Sequence, residues 1–321
     1  TDDGNGNYTN PVIFADVPDI DIIRVDDAFY MVSTTMHLSP GCPVMKSYDL
    51  VNWEIVNYVF DTLEDSDKLA LRNGENNYGK GQWATTLRYN DGVYYAGFTS
   101  FSTGKTYIYH TDDIENGKWD RFVYDECFHD MSLLFDDDGK VYLIYGGGEI
   151  WCVELEKDLS AVKPGTKRKL INNAGLVKGC LAEGSHVYKL NGYYYIFIIT
   201  WPPNSKRTQL CYRSEALDGE WERKVIIRDN MGFRNDGAAQ GGIVDDKDGN
   251  WYCFVFQDHG AVGRTPVVST MTWEDGWPVV GVNGKVPTTD KIPIAGHEKK
   301  GIVTSDEFIN SQIVRSYHSF A

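Results

Sequence analysis

The chain has 321 residues, 42% of them apolar and 13% aromatic, with 31 Lys and Arg against 46 Asp and Glu. The resulting formal charge of −15 argues against a nucleic-acid partner, which needs clustered Lys and Arg, and against an anionic membrane surface. No run approaches the roughly eighteen apolar residues of a spanning helix, and a chain of this length buries enough core to need no disulfide staples.

Helical periodicity is nearly absent. Short aromatic and β-branched runs alternate with Gly, Asp and Asn turns, which predicts an all-β chain. In chain order, five segments repeat one pattern, a turn followed by an aromatic strand. They are Asp26-Asp27-Ala28-Phe29-Tyr30, Asp91-Gly92-Val93-Tyr94-Tyr95, Asp138-Gly139-Lys140-Val141-Tyr142, Asn191-Gly192-Tyr193-Tyr194-Tyr195 and Asp248-Gly249-Asn250-Trp251-Tyr252. Asp-Gly and Asn-Gly favour the positive φ angles of tight hairpins. The last Tyr falls at 30, 95, 142, 195 and 252, at intervals of 65, 47, 53 and 57. A second turn closed by Trp follows three of these hairpins: Ser47 to Trp53, Thr111 to Trp119 and Ser214 to Trp221. Units of about 50 residues holding several strands are propeller blades. Five of them predict a five-bladed β-propeller, with 1–321 as one domain and residues past about 290 closing the ring against the first strand.

Six cysteines, at 42, 127, 152, 180, 211 and 253, form no CxxC pair. Cys152, Cys211 and Cys253 lie in apolar runs, where free Cys acts as a small core residue. This usage favours a reducing compartment, hence the cytoplasm, with secretion left open. The seven histidines show no HExxH or HxH spacing, so no catalytic metal site is assigned. GxSxG, GxGxxG and P-loop patterns are missing too, which removes serine-hydrolase, dinucleotide and nucleotide readings.

Counting back eleven residues from Tyr30 gives Asp19. Counting back twelve from the other four tyrosines gives Trp83, Asp130, Glu183 and Gln240. Each blade thus offers one residue at an equivalent place on or near its innermost strand, and these side chains should converge at one mouth of the axis. Converging carboxylates suit glycosidic cleavage, in which one acid must be protonated and another ionised. Neighbouring negative charge keeps the two roles apart. The competing reading for Asp19, Asp130 and Glu183 is structural hydrogen bonding inside the funnel, and for Trp83 a core position. Asp136, Asp137 and Asp138 read as a turn. His37, His129, His186 and His259 each lie near a candidate residue, where a hydrogen-bonding role is the ordinary one.

These residues resemble glycoside hydrolase family 43, five-bladed propeller glycosidases acting on arabinan and xylan. The likeness runs from Asn10-Pro11-Val12-Ile13 and Pro18-Asp19 through Gly81-Gln82-Trp83-Ala84, His129-Asp130-Met131-Ser132 and Glu183-Gly184-Ser185-His186. It ends in Gly263-Arg264 and Trp273-Glu274-Asp275-Gly276-Trp277-Pro278. The resemblance implies Asp19 as general base, Glu183 as general acid and Asp130 as the residue that tunes and orients the acid, with inversion at the anomeric carbon. It implies Trp83 and Arg264 as sugar contacts. His37 and Gln240 complete the expected substrate-binding set. No cofactor is implied beyond a structural Ca²⁺ on the propeller axis near Gln240. The sequence departs from the family there, because the fifth-blade histidine that helps hold the ion is absent from Gly237-Ala238-Ala239-Gln240-Gly241-Gly242.

The expected activity is an exo-acting, inverting glycosidase of plant cell-wall pentosans. It would remove terminal α-L-arabinofuranose from arabinoxylan or arabino-xylooligosaccharides. A β-D-xylosidase or a dual enzyme is the alternative. A chain ending after the propeller, without the β-sandwich of many family β-xylosidases, favours the arabinofuranosidase reading through a more open mouth. A non-catalytic carbohydrate-binding propeller is the remote alternative. Sialidase and fructan-cleaving propellers fail on their missing motifs, since only Glu126-Cys127 matches the latter.

Overall fold

The Asp-Gly and Asn-Gly signals mark reversals between antiparallel strands. Asp91-Gly92 and Asn191-Gly192 have positive φ at both positions (49° and 83°, 51° and 82°), as a two-residue type I′ hairpin requires. The third and fifth hairpins use longer loops built on Asp136 and Asp246. Asp246 Oδ1 accepts the amides of Asp248 and Asn250, and Oδ2 accepts the Tyr252 hydroxyl at 3.0 Å. The computed structural model describes residues 1–297 and 301.

After a short β1 (Asn7–Thr9), the chain forms five four-stranded antiparallel sheets, each from one continuous segment. Blade 1 is β2 (Asp21–Val25), β3 (Ala28–Val32), β4 (Gly41–Ser47) and β5 (Glu54–Phe60). Blade 2 is β6 (Trp83–Asn90), β7 (Val93–Ser100), β8 (Lys105–Thr111) and β9 (Asp120–Tyr124). Blade 3 is β10 (Ser132–Phe135), β11 (Val141–Tyr145), β12 (Ile150–Leu155) and β13 (Arg168–Ile171). Blade 4 is β14 (Ala182–Leu190), β15 (Tyr193–Thr200), β16 (Thr208–Ser214) and β17 (Glu222–Ile227). Blade 5 is β18 (Ile243–Asp245), β19 (Trp251–Asp258), β20 (Arg264–Glu274) and β21 (Trp277–Val280). The first strands adjoin round the ring, β2 beside β6 and β18, and β10 beside β6 and β14. The fold is therefore the five-bladed propeller.

Apolar side chains form five clusters, each at one seam between neighbouring blades. A blade packed on both faces explains why β3 and β15 read as unbroken apolar runs rather than alternating ones. The first Trp-closed turn holds a blade edge: Ser47 and Asp49 accept the amides from Asp49 to Asn52, and Trp53 Nε1 donates to Leu50 O at 3.1 Å. Trp53 then meets Phe254 edge-on across the seam between blades 1 and 5.

The two ends of the described chain meet outside the blades. β22 (Thr289–Lys291) pairs with β1, and neither joins a blade. The N-terminal segment covers the closing seam, with Asn10 Nδ2 donating to the carbonyls of Val268 and Pro287 at 2.8 Å. The expected closure beyond residue 297 falls, apart from residue 301, outside the described residues. The long first interval of 65 is a loop over residues 61–82 between β5 and β6.

Candidate active site

Every blade begins with one left-handed residue beside its innermost strand: Asp19 (φ 51°), Ala84 (35°), Asp130 (47°), Gly184 (70°) and Gln240 (63°). In blades 1, 3 and 5 it is the back-counted residue itself. In blades 2 and 4 it follows Trp83 and Glu183, where the β6–β7 and β14–β15 registers slip by a bulge. Bulges and left-handed residues re-aim side chains off the sheet, here toward the axis. Gly184 is the permissive case, since a Cβ there would sit 2.8 Å from the Gln240 side chain.

The five back-counted residues line one cavity of about 240 Å³, together with Arg264, His129, Thr99, Phe101 and Trp201. His37 is not among them. It lies in the loop after β3, accepts the Gly79 amide through Nδ1 at 3.1 Å and leans on Tyr78. The loop between blades 1 and 2 therefore holds His37 outside the cavity, against the sequence expectation. Phe101 and Trp201 escaped the sequence reading although a signal existed. Both fall six residues past a register tyrosine, Tyr95 and Tyr195, at the end of a blade's second strand.

The acids occupy different environments. Asp19 is 3% exposed. Its Oδ2 accepts the Thr34 hydroxyl at 2.7 Å and its Oδ1 accepts Arg264 Nη1 at 2.6 Å. Burial pushes the carboxyl above its usual range, while the Arg264 charge and the Thr34 bond pull toward the ionised form. Arg264 is steered by Asp258, 3.5 Å from its Nε, and its guanidinium lies over Phe256 and Trp83. Asp130 is pushed up to about 7 by burial, with His129 opposing and the Glu183 and Asp19 charges adding. Glu183 shares a 2.8 Å hydrogen bond with His129 Nε2, and His129 Nδ1 lies 3.6 Å from Asp130 Oδ1. The pocket thus holds an arginine-paired carboxylate in blade 1 and a proton-sharing array spanning blades 3 and 4.

Two to five residues further along the inner strands, an ion network fills the axis. Asp21, fully buried, accepts Arg88 Nη1 at 2.7 Å and the Leu87 amide at 2.8 Å on Oδ2. Its Oδ1 accepts the Ile22 amide and lies 3.1 Å from His186 Nδ1. Arg88 Nη2 donates to Ser132 Oγ at 2.8 Å and to Val187 O at 3.2 Å. The Ile243 amide donates to the Tyr188 hydroxyl, and a Cβ on Gly242 would sit 2.1 Å from that oxygen. All five blades meet there. Burial opposes ionisation of Asp21, but Arg88 and His186 hold it well below the usual carboxylate range.

The axial Ca²⁺ expected near Gln240 does not fit these residues. Among the described residues the cluster of three His, Cys, Asp or Glu side chains close enough to share an ion is His129, Asp130 and Glu183 in the pocket itself, already joined by their own hydrogen bond; deeper on the axis, Asp21 and His186 have no third such side chain with them. The buried Asp21 charge is already met by Arg88.

A propeller that brings three acids, an arginine and aromatic side chains into one axial pocket is built as a glycoside hydrolase is. The chain belongs to the glycosyl hydrolases family 43, which matches residues 8–278. It is 30% identical to a β-xylosidase of Formosa agariphila, over 97% of this chain and 58% of that protein. It is likewise 30% identical to a non-reducing end α-L-arabinofuranosidase of Bacteroides ovatus, over 89% of this chain and 56% of the relative. A solved structure from Bacteroides eggerthii, a bifunctional GH43-CE, superposes with a TM-score of 0.87 at 48% identity, covering 93% of this chain and 38% of that one. The chain spans somewhat over half the length of these two sequence relatives. No helix among the described residues is long and apolar enough to cross a membrane.

Proposed function

We propose that the protein removes terminal pentosyl residues, α-L-arabinofuranosyl in first place, from arabinoxylan or arabino-xylooligosaccharides of the plant cell wall, with inversion. The observation that carries this reading is the contrast between two acids lining one pocket. Asp19, ion-paired to Arg264, is the base that takes a proton from the attacking water. Glu183, bonded to His129, is the acid that protonates the leaving oxygen. Asp130, between His129 and the other two charges, biases the proton toward Glu183. Trp83, Phe101 and Trp201 supply apolar walls for a sugar face, and Arg264 and Gln240 supply polar contacts. A cavity of about 240 Å³ suits one sugar ring, hence exo-action. It lies below the roughly 300–1,000 Å³ of pockets for larger ligands. No cofactor takes part.

Release of β-D-xylose is the second reading, favoured by the relative named β-xylosidase. Aryl α-L-arabinofuranoside and aryl β-D-xyloside, hydrolysed in parallel, choose between them. Proton NMR of the first product reads the anomer: β-L-arabinose or α-D-xylose for inversion. Glu183→Ala should lose turnover by several orders of magnitude and regain part of it on substrates with good leaving groups, and Asp19→Ala should lose it without such rescue. A folded wild type that releases neither sugar, or an active Asp19→Ala variant, would sink the assignment.

A further inference from the structure

His129 stands where no role had been assigned. It precedes Asp130 at the lip of blade 3, and its backbone carbonyl accepts the Gly146 amide at 2.9 Å, which fixes the residue to the loop after β11. Its ring touches the exposed Phe101 of blade 2 at 5.4 Å between centroids. Gly147 also borders the imidazole, with room for no more than a methyl group between them. Its two nitrogens then point at two acids, Nε2 to Glu183 Oε2 at 2.8 Å and Nδ1 toward Asp130 Oδ1 at 3.6 Å. The side chain is 35% exposed, whereas that of Asp130 is 9% exposed. His129 is therefore the most accessible of the three.

Building on the glycosidase reading above, we infer that His129 is the positioning residue of the general acid and its path back to solvent. Held at Oε2, Glu183 keeps Oε1 for the leaving oxygen. In the forward step Glu183 gives its proton to the leaving oxygen as the glycosidic bond breaks, and Asp19 takes one from the water that attacks the sugar carbon. The site then has an ionised Glu183 and a protonated Asp19. Asp19 returns its proton to solvent. His129 passes one from Nε2 to the carboxylate oxygen it holds, the carboxyl turns so that this protonated oxygen faces the next leaving group, and His129 regains its proton from water, so a turnover consumes one water and no other reactant. The groups facing the imidazole favour its charged form: Glu183, Asp130 and Asp19 raise its proton affinity against the opposing effect of burial.

The sign of the pH effect follows. An imidazolium 2.8 Å from Glu183 eases loss of the acid's proton. Without it, Asp130 and Asp19 face the acid with no opposing charge. His129→Phe retains an aromatic ring against Phe101 but neither the bond nor the charge. His129→Gln retains a hydrogen-bonding group without the charge. Both should move the alkaline limb of kcat/KM upward on whichever glycoside the wild type cleaves. His129→Phe should also lose about ten- to hundred-fold in kcat on a poor leaving group, within or below the 10²–10⁴ that general acid catalysis contributes. On an activated aryl glycoside it should lose little, and His129→Gln should recover most of the loss. Equal losses on both leaving groups with an unmoved limb, in variants of unchanged melting temperature, would overturn the inference. Wild-type activity that is lost in Glu183→Ala but indifferent to His129 would overturn this inference alone. A Glu183→Ala enzyme as active as wild type would overturn the glycosidase assignment on which it rests.

Discussion

Arg88→Met tests whether the axial network holds the ring together. The substitution keeps the aliphatic stem and removes the guanidinium that faces a carboxylate with no solvent contact. Asp21 would keep the Leu87 and Ile22 amides and His186, but lose its close cation. Ser132 Oγ and Val187 O would lose a donor as well. Removing one partner of a buried ion pair costs about 3–5 kcal/mol, mostly by stranding the other charge, and in a chain of 321 residues that lowers the melting temperature by about 4–8 °C. Urea unfolding followed by tryptophan fluorescence reads the difference, with the slope unchanged if the native state stays compact. Asp21→Asn in the Arg88→Met background removes the stranded charge and should recover part of the loss. The pH dependence has a definite sign. Asp21 is ionised in the fold well below its ordinary range, so its contribution is full above the unfolded value of about 3.9 and fades as pH falls through it. The stranded carboxyl of Arg88→Met takes up its proton at higher pH than the paired one, so the gap between wild type and variant should narrow steadily as pH falls. Because an internal guanidinium supplies the positive charge, EDTA should leave the wild-type midpoint in place. A loss below about 1 kcal/mol, the size of an exposed pair, or no recovery in the double variant would refute the argument.

Two further outcomes follow from the pocket. Asp130 is raised to about 7 in the fold against about 3.9 unfolded, so its ionisation costs stability that grows between roughly pH 4 and 7. Asp130→Asn should lower activity yet raise the melting temperature, more at pH 8 than at pH 4; an equal shift at both would place the effect elsewhere. Arg264→Ala removes the cation that opposes the burial of Asp19, so Asp19 should hold its proton to higher pH and the acidic limb of kcat/KM should move up. An unmoved limb with only a raised KM would make Arg264 a sugar contact alone.

The blade count was legible because hairpin chemistry is local. A two-residue turn with both φ positive admits few sequences besides Asn-Gly and Asp-Gly; it reverses the first strands of blades 2 and 4, and Asp-Gly also marks the longer loops of blades 3 and 5. The convergence of Asp19, Trp83, Asp130, Glu183 and Gln240 was legible for the same reason, since a fixed count from a fixed turn is a fixed place in the blade. The place of His37 was not legible, because proximity in sequence to a site residue says nothing about the loop between blades 1 and 2 that captures it. The axial network stayed hidden. Asp21, Arg88, Ser132 and His186 come from four blades at unequal offsets, and each alone reads as an ordinary strand residue. Likewise β1 and β22 carry too few residues to announce a pairing across almost the whole chain.

The axial network also governs traffic. With Asp21, Arg88, Ser132 and His186 filling the channel just past the pocket residues, the cavity is a well with a single mouth. On the proposed function, a polysaccharide would not thread it and would present a chain end or a branch tip. The detached sugar would sit deepest and leave only after the rest of the chain had backed away. Release would then be ordered, polymer first and monosaccharide last. Accumulating monosaccharide should slow the enzyme by occupying the well that the next branch tip needs.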